Sequence, residues 1–155
     1  MYVLGITASA TASSIPEFAL GTIGANVTSD GIKVYKYIQY DTGSGSVAAV
    51  SGQVAYYYTL DGYKNHTVTS DLSDFVEIGA GVCQSAPGDG EYGWIQIKGP
   101  ATLALALTAG ADGDPLTPTG AGADGTLDVS AAGTDNVCAI AGDISDKEVV
   151  CDFPL

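Results

Sequence analysis

The chain has 155 residues, enough for one compact domain or one domain with an arm, and too few for two full domains. Five Lys, no Arg and 18 Asp plus Glu leave a net charge of −13, so the chain has no cationic surface with which to bind nucleic-acid phosphates or an anionic membrane. Hydrophobic residues at 46% against 15% charged argue against disorder, and 21 Gly with abundant Ala, Ser and Thr in place of straight-chain helix formers point to a turn-dense, all-β protein.

Residues 1–25 carry a single charged side chain, Glu17, and Pro16 interrupts any helix there. Such a segment is expected to be an extended N-terminal arm lying on the body or on a partner; the alternative is a plain first strand over Tyr2–Thr7 followed by a loop. Residues 26–155 are expected to form a single β-domain. The opening MYVLGITASA has no basic region, and no run of 18 apolar residues occurs. Neither a typical signal peptide nor a membrane-spanning helix is expected, which leaves synthesis in the cytoplasm.

From Gly31 to Tyr40 the chain alternates, with Ile32, Val34 and Ile38 on one face and Lys33, Tyr35, Tyr37 and Gln39 on the other. The cluster Asp41–Ser46 reads as a loop, and Gln53–Leu60 as a strand ending in an Asp61-Gly62 turn. His66–Ser70 is a short strand, and Asp71–Asp74 one helical turn capped by Asp71 or Ser73. Phe75–Val82 is the next strand, Ala86–Gly90 a turn, and Tyr92–Lys98 a further strand that Gly99-Pro100 ends. Thr102–Thr108 (TLALALT) has the period of two that a strand requires. Loops fill 109–125, and strands follow near Thr126–Ser130, Asn136–Ala141 and Glu148–Phe153. Turn-separated strands without alternating helices predict an antiparallel β-sandwich or β-barrel, jelly-roll-like topologies included.

Chemistry-bearing residues are sparse. Gly120–Gly125 matches GxGxxG as a string, but a strand follows where a dinucleotide site needs a helix N-terminus. Asp112, Asp114, Asp124 and Asp128 read as solvated turn carboxylates, since the EF-hand spacing fails. His66 is the sole histidine, so every nucleophile–base pair would need it, and no nucleophile-elbow motif accompanies it. Cys83, Cys138 and Cys151 have no zinc-site spacing and read as buried thiols, with Cys138 and Cys151 neighbours if their strands pair. No enzyme activity, metal or cofactor is expected. Six of nine tyrosines fall between Tyr35 and Tyr58, a ladder read as core plus interface. Tyr2, Val3, Leu4, Ile15 and Phe18 of the arm, with Tyr35, Tyr37 and Tyr57, form the candidate interface.

The run Glu91-Tyr-Gly-Trp-Ile-Gln-Ile-Lys-Gly-Pro-Ala101, the Ala/Gly-rich loops after it and the terminal Cys-Asp-Phe strand resemble small virion proteins of tailed bacteriophages. The nearest comparison is to capsid decoration (cement) proteins. That resemblance implies a non-enzymatic β-protein, often a homotrimer, on the outer capsid surface of the virion, bridging neighbouring copies of the major capsid protein. A carbohydrate-binding or host-adhesion module using exposed Tyr and Trp94, and a tail-tube subunit, are the alternatives.

Overall fold

The computed structural model describes the backbone of residues 2–155, and the side chains of all of these except Tyr2 and Leu60. Among the described residues, eleven strands and one short helix follow in order: β1 (Tyr2–Leu4), β2 (Ile23–Thr28), β3 (Gly31–Tyr40), β4 (Val54–Tyr58), α1 (Thr59–Asn65), β5 (Thr67–Thr69), β6 (Phe75–Cys83), β7 (Tyr92–Thr102), β8 (Pro115–Thr117), β9 (Asp128–Val129), β10 (Ala139–Asp143) and β11 (Glu148–Asp152). The all-β expectation holds, and of the two architectures the chain adopts the barrel. Strands β3, β5, β4, β6 and β7 pair in that order, and β7 returns to pair with β3. All joints are antiparallel except β3–β5. Closure removes two sheet edges that would otherwise present unpaired amides.

Two extensions leave the barrel. The first half of β3 carries β2 antiparallel, and β2 carries β1 parallel, with Tyr2, Val3 and Leu4 opposite Ile23, Gly24 and Ala25. The second half of β7 carries β11, β10, β8 and β9. Residues 2–22 lie on the body as a short strand and a loop: Ser13 bridges Tyr92, and Ile6, Ala8, Phe18 and Leu20 pack on Tyr35, Tyr37 and Trp94.

That cover explains why β3 is buried on both faces. Its inner face sends Lys36, Ile38 and Tyr40 into the main core, and its outer face holds Tyr35 and Tyr37 beneath the N-terminal loop. The main core is otherwise small: Val54, Val68, Ile95, Ile97, Leu116, Leu127 and Phe153 are fully buried around Tyr40, Tyr56 and Tyr57. Burying a phenol requires a partner for its hydroxyl. Tyr40 Oη donates to the Val47 carbonyl at 2.9 Å, and Tyr56 Oη to the Thr126 carbonyl.

Three local expectations fail. Gln53–Leu60 is not one strand, because the chain turns at Thr59 (φ +56°) into α1, and Asp61-Gly62 lies inside that helix. Gly99-Pro100 does not end the strand. Gly99 adopts φ +91°, and the buried Gln96 amide donates to the carbonyls of Lys98, Gly99 and Pro100, so β7 bends and continues to Thr102. TLALALT is not a strand, despite its period: Leu103 is buried, but the Leu103 and Ala104 amides bond the carbonyls of Lys147 and Gly52, loop residues on different sides. Asp71–Asp74 is a turn in which the Asp71 carboxylate accepts from the Ser73 amide and hydroxyl.

Candidate functional site

The predicted interface residues separate into two groups. Tyr35, Tyr37 and Tyr57 are 5%, 2% and 0% exposed. The chain uses them itself, so they present no surface to a partner, which corrects their assignment to an interface. Phe18 is half-buried, packed at 5.3 Å from Tyr37 and 5.2 Å from Trp94, ring to ring. Val3 is half-buried, while Leu4 and Ile15 are 85% and 73% exposed. The side chain of Tyr2 lies outside the described residues. Trp94, the platform of the glycan alternative, is only 5% exposed and covered by Phe18.

His66 terminates α1 in a left-handed conformation (φ +58°) and packs its ring against Gly21, where a Cβ would sit 2.5 Å from Nε2. Its Nδ1 is buried without a partner, and burial, with Lys36 nearby, holds its pKa below the ordinary value. The loop aspartates serve the backbone. Asp112, Asp114 and Asp124 accept from the amides of Ile144, Ala111 and Leu72. Among the described residues no group of three or more His, Cys, Asp or Glu is placed to hold a metal ion. Cys83, Cys138 and Cys151 are buried free thiols. Strands β10 and β11 do pair, with Ala139 opposite Cys151, which makes Cys138 and Cys151 neighbours. Burial raises all three pKa values, Cys83 and Cys151 to about 12, and a thiol kept protonated is a poor nucleophile.

One buried group was missed. Lys36 is 1% exposed, and its Nζ donates to Tyr57 Oη at 2.6 Å and to the Pro154 carbonyl at 3.2 Å. The ammonium also lies 5.3 Å from the Tyr57 ring centroid. Desolvation lowers its pKa from 10.5 to about 8. Among the described residues the one ion pair is Lys98–Asp152, so this buried cation is held by neutral oxygens. The signal was in the alternation: Lys36 shares parity with Val34 and Ile38, the aliphatic face of the strand.

The outer face of the second extension shows what composition concealed. Pairing aligns Pro115 with Ile140, Ile140 with Val150, and Val150 with Pro100. Partners in register point to the same side, so four apolar side chains form a row across β8, β10, β11 and β7. Ile140 and Val150 are 40% and 48% exposed. Charged residues bound the β7–β11 part of the row, with the Lys98–Asp152 pair on one side and Glu148, opposite Thr102, on the other. A second exposed pair, Val27 opposite Ile32, marks the tip of the β2–β3 hairpin. Isolated exposed apolar residues are ordinary, whereas an aligned row is an interaction-site signature.

Comparison with protein-family models, curated proteins and solved structures finds no match to this chain.

Proposed function

We propose that this chain is a non-enzymatic virion structural protein that decorates a phage capsid, bridging neighbouring major capsid subunits from the outer surface. The observation that carries this reading is the aligned row Pro115–Ile140–Val150–Pro100, an apolar strip bordered by charged residues. Protein-docking surfaces combine a desolvated apolar centre with a polar rim in this way. The net charge of −13 keeps the free protein soluble and steers it toward a complementary shell. With five Lys and no Arg, the chain's own salt bridges are few, and in this reading attachment rests mainly on apolar burial of the row. Bridging several subunits from one position suits a homotrimer, as the resemblance to cement proteins implies.

Co-sedimentation with capsids lacking the protein tests the proposal. Saturable binding that survives molar salt, and is lost in Val150→Glu, supports it. Binding abolished by moderate salt, or unchanged by Val150→Glu, refutes attachment through this row. Retention on glycans by a protein indifferent to capsids would favour the adhesion module, and open-ended tubes a tail subunit.

A further inference from the structure

Beside the apolar row, across the Lys98–Asp152 pair, lies a cavity of about 400 Å³ between α1, β6 and the last residues of the chain. That size is within the range of small-molecule and side-chain pockets. Its walls are Ile78, Val137, Phe153 and Pro154, and Tyr63 lines it from α1. The Tyr63 ring is 46% exposed and held edge-on against buried Tyr57, with centroids 4.8 Å apart at 80°. It is thus a positioned aromatic surface rather than a loose side chain.

The polar groups around this cavity have committed part of their donor capacity: Lys98 is paired with Asp152, and one N–H of the Asn136 amide donates to the Glu77 carbonyl at 3.0 Å. The acceptors are the more open set. One Asp135 oxygen takes three donors, from Ser130, Ala131 and Ala132, leaving the other uncommitted. Those bonds, the Ala132 amide first, hold the Asp135 pKa below the usual carboxylate range, so it stays charged. Asn136 Oδ1 and the second Asp152 oxygen are also uncommitted. Two carboxylates face one ammonium, which leaves the lining negative.

The open carboxylate oxygens and the fixed tyrosine face favour an occupant that is rich in donors, positively charged, and able to lay a methylene stem on an apolar wall. Arginine matches: five N–H donors, a three-methylene stem and a planar cation that stacks on tyrosine. An anion would meet Asp135 and Asp152.

We infer that the Tyr63 cavity receives an arginine side chain of the partner protein that covers the adjoining apolar row. This rests on the reading of that face as a docking surface and adds to it the chemistry of the partner. The pocket contributes one salt-sensitive contact beside an apolar strip that salt does not weaken.

The test is a titration of the intact ¹⁵N-labelled protein with a blocked Gly-Arg-Gly peptide and its citrulline counterpart, which keeps shape and removes charge. The arginine peptide is expected to shift amides at 63, 77–79, 135–138 and 152–153, with at least fivefold weaker binding of the citrulline peptide. Tyr63→Leu should weaken binding about threefold through loss of the ring face, and Tyr63→Phe should retain it. Asp152→Asn, at an exposed side chain, should also weaken it. Equal binding of the two peptides, shifts centred elsewhere, or no shift at millimolar peptide overturns the inference. Capsid co-sedimentation is scored separately, so a capsid-binding protein with an inert pocket is distinguishable from one that binds arginine but no capsid.

Discussion

Lys36 offers the sharpest test of how this fold tolerates its own sequence. In the unfolded chain its amine titrates near 10.5, and in the folded barrel near 8. Below pH 8 both states are charged and the folded state carries the full cost of burying the ammonium. Between 8 and 10.5 the unfolded chain holds a proton that the folded one has released, so raising pH favours folding by about 1.4 kcal/mol per pH unit. Across the whole window that amounts to about 3 kcal/mol. The three thiols act in the opposite sense above pH 9, because the unfolded chain ionises while the buried thiols remain protonated. The raw stability curve therefore rises between 8 and 9 and then falls.

Lys36→Met separates the two effects, since methionine fills similar space and leaves the thiols alone. Urea unfolding of both proteins at pH 7.5, 8.5 and 9.5 gives the difference in stability, in which the thiol contribution cancels. The unsubstituted protein should gain on the variant by about 2 kcal/mol between pH 8 and 9.5. At pH 7.5 the methionine variant should be as stable as the parent or more so, because replacing a buried charge by an apolar side chain removes its desolvation cost. A difference that stays flat within about 0.5 kcal/mol across the series would show that Lys36 titrates normally and that the barrel floor is wet.

Further outcomes follow from the packing. Phe18→Ala should cost about 2 kcal/mol, less than for a fully buried ring, and shift Trp94 emission to the red as the N-terminal loop lifts; an unchanged spectrum would mean the loop does not cover the indole. Gly99→Ala should cost about 2 kcal/mol or more, because a Cβ would lie 2.5 Å from the Ile32 carbonyl oxygen at φ +91°; a neutral result in thermal melts would contradict the bend in β7. Native protein should leave a thiol reagent unreacted, and denatured protein should titrate all three cysteines. Rapid reaction of any one before unfolding would place that residue at the surface.

How far the fold was legible depends on whether a segment's neighbours were local. Gly31–Tyr40 alternates and becomes a strand with the same bounds, because its hydrophobic parity and its pairing agree. TLALALT alternates as cleanly and fails, since period alone supplies no hydrogen-bonding partner and Leu103 needs only one buried position. Strands β2 and β8 went unread: Ile23–Thr28 has small residues on one face, and Pro115–Thr117 is three residues in a loop-like context. The tyrosine ladder was visible, yet the burial of Tyr35 and Tyr37 depended on an N-terminal loop whose docking no local pattern encodes. The apolar row was invisible for the same reason. Its members come from four segments, and only the register of three strand pairs brings them into line.

The bond from Lys36 to the Pro154 carbonyl joins positions 118 residues apart, and Phe153 beside it is fully buried. During synthesis, β3 through β7 emerge early enough to close the barrel wall, yet the cation then lacks one of its two acceptors, leaving only Tyr57 Oη, and the place of Phe153 in the core stands empty. Completion of the interior waits for residues 153 and 154 to leave the ribosome. Until then the nascent chain displays an unfinished hydrophobic interior of the kind chaperones bind. A chain truncated shortly before Phe153 would keep most of its strands while losing the side chain that fills this part of the core.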